Sequence, residues 1–157
     1  MTVTLRPMPP DTWATWREAA IEAYAADMVR VGAWRPAEAA ARATAEFARF
    51  APAGQATPGH EFRSVVAEGG ETVGSVWFAP NEATGHGALF LWDIAIAADF
   101  RGRGYGRAAL EALDRIALEL GYDSIRLHVF GDNEVARNLY RSAGYAETDV
   151  SMVKHLG

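Results

Sequence analysis

The sequence contains no cysteine. That excludes disulfides, thiolate-held metals and a cysteine nucleophile, and it suits a reducing compartment. Histidine is sparse: four residues, none in the His-x-x-x-His spacing that sets two imidazoles on one helix face, so no metal site is expected. Basic residues are outnumbered, 15 Lys and Arg against 20 Asp and Glu, for a formal charge of −5. Such a balance argues against the broad cationic face that nucleic acid requires. No apolar run approaches the ~20 residues that span a bilayer, and "MTVTLRPMPPD" has no apolar signal core. The expectation is a cytoplasmic protein that binds neither nucleic acid nor membrane. Internal repeats are absent, and low complexity is confined to alanine-rich helical sequence.

What is present suits one domain over residues 1–157. Half of the residues are apolar and 11% are aromatic, enough for a core. "VTLRPM" alternates like a strand. Asp11 or Thr12 is placed to cap a helix through "TWATWREAAIEAYAADMVRV", with Trp13, Trp16, Ala20, Tyr24 and Met28 at helical spacing and Gly32 as its stop. "RPAEAAARATAEFARF" reads as a second helix with Pro36 in its first turn. "EFRSVVAE" and "TVGSVWFAP" flank "GGE" as a hairpin. "ALFLWDIAIA" is nearly all apolar and reads as a central strand. "GRAALEALDRIALELG" is an amphipathic helix ended by Gly121, and "SIRLHVF" is a strand. "DNEVARNLYRSAG" is a short helix with Asp132 as its cap and Gly144 as its stop. "YAETDVSMVKHL" is expected to add one or two further strands. The class is a mixed α/β domain of about 6–7 strands and about 4 helices.

One stretch departs from the acidic balance. "FRGRGYGRAAL", residues 100–110, gathers Arg101, Arg103 and Arg107 around Gly102, Gly104 and Gly106. A strand that ends in such a turn and opens a helix makes an anion site, because the first amides of the helix have no internal partners and its dipole is positive there. Glycines admit a diphosphate close to the backbone, and the arginines can add charge-assisted bonds. Read alone, the pattern serves equally as a tight turn with solvated arginines. It is neither a Walker loop, which needs Gly-Lys-Ser/Thr, nor a dinucleotide fingerprint.

Taken together, "LWDIAIAADFRGRGYGRAALEALDRIALELG" and "SIRLHVFGDNEVARNLYRSAGY" resemble the acetyl-CoA-binding core of the GNAT (Gcn5-related) N-acetyltransferase superfamily. Arg101, Gly104 and Gly106 match its phosphate loop. Asn133, Leu139, Tyr140, Gly144 and Tyr145 match its downstream motif. The resemblance covers residues 60–148, with helices over 10–51 on the acceptor side. It implies transfer of an acetyl group from acetyl-CoA to a small-molecule or peptide amine, by direct attack in a ternary complex. It further implies a bulged, splayed strand at Ile94, Ala95 and Ile96 that pairs with the pantetheine arm. The diphosphate would lie on the amides of Gly102, Arg103, Gly104, Tyr105, Gly106 and Arg107. Asn133 would bond the pantetheine, although its place next to a cap equally suits a helix start. Tyr140, two turns on, would protonate the leaving thiolate. The base is Asp93, a lone acid in an apolar run, or His128 in the next strand. Glu82 and His86 lie in a neighbouring loop, too loosely placed to carry a role, and His60 serves equally as a pocket residue or a strand start. Trp13, Trp16, Tyr24, Trp34, Trp77 and Trp92 are acceptor-pocket candidates that serve equally as core. The resemblance also allows two copies to pair through "VSMVKHLG". A non-catalytic acyl-CoA sensor on the same fold is the alternative function.

Overall fold

The computed structural model describes residues 1–81 and 87–157. Glu82 and His86 fall outside the described residues. The described elements are β1 (Val3–Pro7), α1 (Pro10–Arg30), α2 (Pro36–Phe50), β2 (Glu61–Ala67), β3 (Thr72–Pro80), β4 (Ala88–Ile96), α3 (Tyr105–Glu119), β5 (Ser124–Leu127) and α4 (Glu134–Ser142). One sheet holds the strands in the order β1-β2-β3-β4-β5. The first three pairings are antiparallel, and β4 pairs with β5 in parallel. A parallel pair cannot be joined by a tight turn, and α3 supplies the crossover.

The sheet has a core on each face. In β3 the consecutive residues Val76, Trp77 and Phe78 are all buried, and successive strand residues point to opposite faces. Val76 and Phe78 join Val65, Leu89 and Leu91 against Leu110 and Leu113 of α3. Trp77 joins Phe62 and Met8 against Trp13 and Trp16 of α1 and Phe47 and Phe50 of α2. The two N-terminal helices meet through buried Ala25, Ala39 and Ala43, small residues that let their axes approach. Pro36 opens α2. Gly32, Gly121 and Gly144 follow the ends of α1, α3 and α4 at φ between +79° and +97°, the left-handed position that suits glycine after a helix.

Several expectations need correction. Five strands are present among the described residues, not six or seven. "YAETDVSMVKHL" forms none: Val150, Met152, Val153 and Leu156 are exposed. Glu147 is bonded by Arg137 at 2.6 Å and by Arg141 at 2.8 Å, which holds this part of the chain against α4. The strand expected over "SIRLHVF" stops at Leu127. Neither Asp11 nor Thr12 caps α1, which begins at Pro10 with Pro9 in the cap position. The cap of α4 is Asn133, not Asp132.

Candidate active site

The site begins with an irregularity in β4. Phe78 pairs with Leu91, but Trp77 pairs with Asp93, so one residue, Trp92, is extra on β4. Strict alternation would pair Trp77 with Trp92 and send Asp93 to the α3 face, into an apolar core. The bulge resets the phase. Asp93 now shares the face of its partner Trp77, and Trp92 stacks on Trp77 with ring centroids 4.9 Å apart. No hydrogen bond or ion pair reaches the Asp93 carboxyl among the described residues. Burial, and then the carboxylate of Asp27, push its pKa up from 3.8 to about 6.

β4 also loses a neighbour at this point. Its ladder with β5 runs from Ala88 to Leu91 and ends where Leu91 meets Leu127. From Trp92 to Ile96 the β5 side of β4 carries no ladder, so backbone donors and acceptors line a gap. Ile94, Ala95 and Ile96, where the resemblance implies a splayed strand, lie beyond the end of that ladder. The carbonyl of Ile96 is taken, since Arg101 Nε donates to it at 2.9 Å.

The gap leads to the turn at residues 101–106. Gly102 and Gly104 stand at φ +74° and +89°, where side chains are strained. Gly104 is the N-cap of α3 and offers no side chain to the helix. The amides of Tyr105, Gly106 and Arg107 precede the first intrahelical bond, Ala108 N–H to the Gly104 carbonyl. These donors point out of the helix with its positive dipole end. Gly106 is there for another reason. A Cβ on it would sit 3.1 Å from Leu139 Cδ2 and 3.9 Å from Ile96 Cγ1, so its bare backbone lets α3, α4 and the end of β4 converge. Arg101 braces the turn to β4, Arg103 lies over Phe100 at 5.7 Å, and Arg107 pairs with Glu111 at 3.4 Å.

Tyr140 of α4 packs at the edge of the α3-side core. Burial, and secondarily the charge of Asp93, push its phenol up to about 12. It is therefore a protonated donor at neutral pH, near enough to feel the Asp93 carboxyl. Asn133 uses its side-chain oxygen to accept from Ala136 N–H at 3.1 Å, which is the helix-start role. His128 is exposed, one residue beyond the last β4–β5 pair, with its ring 5.3 Å from Phe130.

The aromatic candidates divide. Trp77 is core, with its Nε1–H donated to His60 Nδ1 at 3.0 Å. Trp13 and Trp16 pack edge-on to Phe62, and Tyr24 and Trp34 pack on each other. Trp92, beside Asp93 and stacked on both Trp77 and His60, is the tryptophan of this set next to the gap.

Two residues were missed by sequence reasoning. Asp27 on α1 lies close enough to influence Asp93; nothing marks it among the other acids of that helix. Gly74 on β3 faces β4 so closely that a Cβ would fall 2.2 Å from the Ala95 carbonyl oxygen. A glycine inside a strand pattern is the signal that was available for it.

A model of the acetyltransferase (GNAT) family matches residues 13–145. The uncharacterized N-acetyltransferase YycN of Bacillus subtilis is 33% identical over 99% of this chain and 100% of its own length. Its crystal structure superposes with a TM-score of 0.94 and covers 99% of each chain. YdgE, another uncharacterized N-acetyltransferase of that bacterium, is 30% identical over 99% of both. AAC(6′)-Iy, solved with the bisubstrate analogue CoA-S-monomethyl-acetylneamine, is 16% identical at a TM-score of 0.60, covering 100% and 99% of the two chains, and shares the fold.

Proposed function

Since the chain belongs to the GNAT acetyltransferase family, we propose that it transfers an acetyl group from acetyl-CoA to a primary amine by direct attack. The observation that carries this reading is one continuous path. The unpaired edge of β4 runs from Asp93 to the uncapped amino end of α3, with Tyr140 at the edge of the α3-side core and the pKa of its phenol raised in part by the charge of Asp93. The free β4 edge suits the amides of a pantetheine arm, as an added strand would. The amides of Tyr105, Gly106 and Arg107, with the nearby arginines, suit a diphosphate.

The chemistry follows from the two titratable groups. An ammonium substrate gives one proton to Asp93, directly or through water, and its nitrogen becomes a nucleophile. A carboxylate with a pKa of about 6 is ionised near neutral pH and basic enough for this task. The nitrogen forms a bond to the acetyl carbon. The carbon–sulfur bond breaks, its electron pair stays on sulfur, and Tyr140 protonates that sulfur. The second proton shed by the nitrogen restores Tyr140, and Asp93 releases its own to solvent. A β4 amide next to the gap polarises the acetyl carbonyl. Asp93 is preferred to His128 as the base because it lies at the gap without a partner, whereas His128 is exposed against Phe130. Among the described residues there is no cluster of His, Cys, Asp or Glu that could hold a metal. No described helix is long and apolar enough to cross a membrane.

Calorimetry with acetyl-CoA, followed by thiol release across a panel of amines, tests the reading. Saturable binding is expected, weakened in Gly104→Glu and in Gly106→Glu. Unchanged affinity in both variants would refute the cofactor site. Binding with no thiol release from any amine would point instead to a non-catalytic acyl-CoA sensor.

A further inference from the structure

We propose that Asp27 selects the acceptor by holding a second cationic group, so that the preferred substrates are amines with two positive centres. The inference rests on the acetyltransferase reading for events at the first nitrogen. Its own support comes from the contacts that α1 makes with Trp77 and with the segment after β5.

Asp27 follows Trp16 by eleven residues, about three helical turns, which puts both on one stripe of α1. Trp16 meets Trp77 edge-on at 5.8 Å, and Trp77 is the ladder partner of Asp93. The stripe that faces the sheet thus carries Trp16 over the paired strands and Asp27 further along. The C-terminal end of α1 is anchored beyond β5. Arg30 Nε donates to Asp132 Oδ2 at 2.8 Å, and its guanidinium lies over Phe130 at 5.5 Å. The same guanidinium donates to Asp27 Oδ1. Oδ2 of Asp27 has no hydrogen bond among the described residues, and neither has the partly buried carboxyl of Asp93. The charge of Asp27 is felt at Asp93. One arginine is thus shared by Asp27 and Asp132, and beside them Asp93 has no cation of its own.

Charge bookkeeping shows what such an arrangement suits. The attacking nitrogen surrenders a proton, and with it its charge, to Asp93. A monoamine then has nothing left for a second carboxylate. A diamine keeps one ammonium, and the open oxygen of Asp27 is the acceptor placed to receive it while Arg30 fixes the carboxylate's direction. A purely structural Asp27 would serve only as the i,i+3 partner of Arg30. An asparagine keeps that hydrogen bond and loses the charge, so the two roles separate.

The test is calorimetric titration of CoA-saturated protein, near pH 8, with 1,4-diaminobutane and with n-butylamine. Wild type should bind the diamine about fivefold to tenfold more tightly, the effect of one partly exposed ion pair. Asp27→Asn should bind the two amines alike, and Asp27→Glu should keep the preference. Unchanged CoA affinity and thermal midpoint establish that each variant is folded. Equal affinities in wild type, a preference that survives Asp27→Asn, or binding of neither amine would overturn the proposal. Failure of the protein to bind CoA would overturn the acetyltransferase reading instead, and the same titrations on CoA-free protein would still decide the role of Asp27.

Discussion

A carboxyl group set beside tryptophan rings, without a partner, holds its proton to a higher pH than one in water. Asp93 is in that position, with Asp27 and Tyr140 as the titratable groups facing it. Its pKa rises from 3.8 to about 6 on folding, so between those values the folded state binds more protons than the unfolded chain. Stability therefore falls as pH rises through that window and stays lower above it. Asp93→Asn should stabilise the protein near pH 8 by up to about 3 kcal/mol. The gain should shrink towards zero near pH 4, as read by urea denaturation at several pH values. Activity should move the other way. Asp93→Asn should lower kcat by about 10²-fold or more and remove the acidic limb of the pH–rate profile near pH 6, whereas His128→Ala should keep that limb. Tyr140→Phe loses only a proton donor in a packed position. It should slow turnover about 10²-fold and leave the affinity for acetyl-CoA unchanged; equal effects on both would deny the phenol its role.

The elements around these residues are shaped by where backbone comes close to backbone, and this governs how much of them was legible. The turn at 101–106 could be read because its chemistry is written in residue type: glycine at positive φ, then a helix with no capping side chain. Asp93 could be read as a lone acid in an apolar run. The bulge that sets its direction could not, since nine nearly uniform residues show no phase to interrupt. Asp27 was hidden because its significance comes from Arg30 reaching Asp132, 102 positions away. The last strands were over-read: the alternation of Val150 and Met152 was visible, but the hold of Arg137 and Arg141 on Glu147 was not. Gly74 offers the sharpest test of the backbone argument. Its missing Cβ would strike a main-chain oxygen of β4, which cannot rotate away. Gly74→Ala should therefore cost about 1–3 kcal/mol, as overpacking does. By displacing Ala95 it should also weaken acetyl-CoA binding, whereas Gly70→Ala, in the open β2–β3 turn, should leave that binding alone.

Across the whole molecule the sheet separates two tasks. On one face α3 and α4 pack through Leu110, Leu113 and Leu139 and present the uncapped amino end and Tyr140. On the other, α1 and α2 pack through the aromatic stack on Trp77, and α1 carries Asp27, whose charge acts on Asp93. β4 belongs to both, and its bulge hands Asp93 to the second. Damage to one core should therefore be felt mainly by one substrate. Leu110 is fully buried on the sheet-facing side of α3, and Leu110→Ala should cost about 2–5 kcal/mol. By loosening the helix it should raise the KM for acetyl-CoA more than that for the amine. Trp77→Phe keeps an aromatic ring but removes volume and the bond to His60 Nδ1. It should raise the KM for the amine several-fold while acetyl-CoA affinity stays within about twofold, because a missing contact costs most where the side chains it held define a surface. Steady-state kinetics with each substrate varied in turn, at a temperature where both variants are folded, measures the split. If both substitutions raised the two KM values in the same proportion, the sheet would be one mechanical unit, and the division of labour between its faces would have to be abandoned.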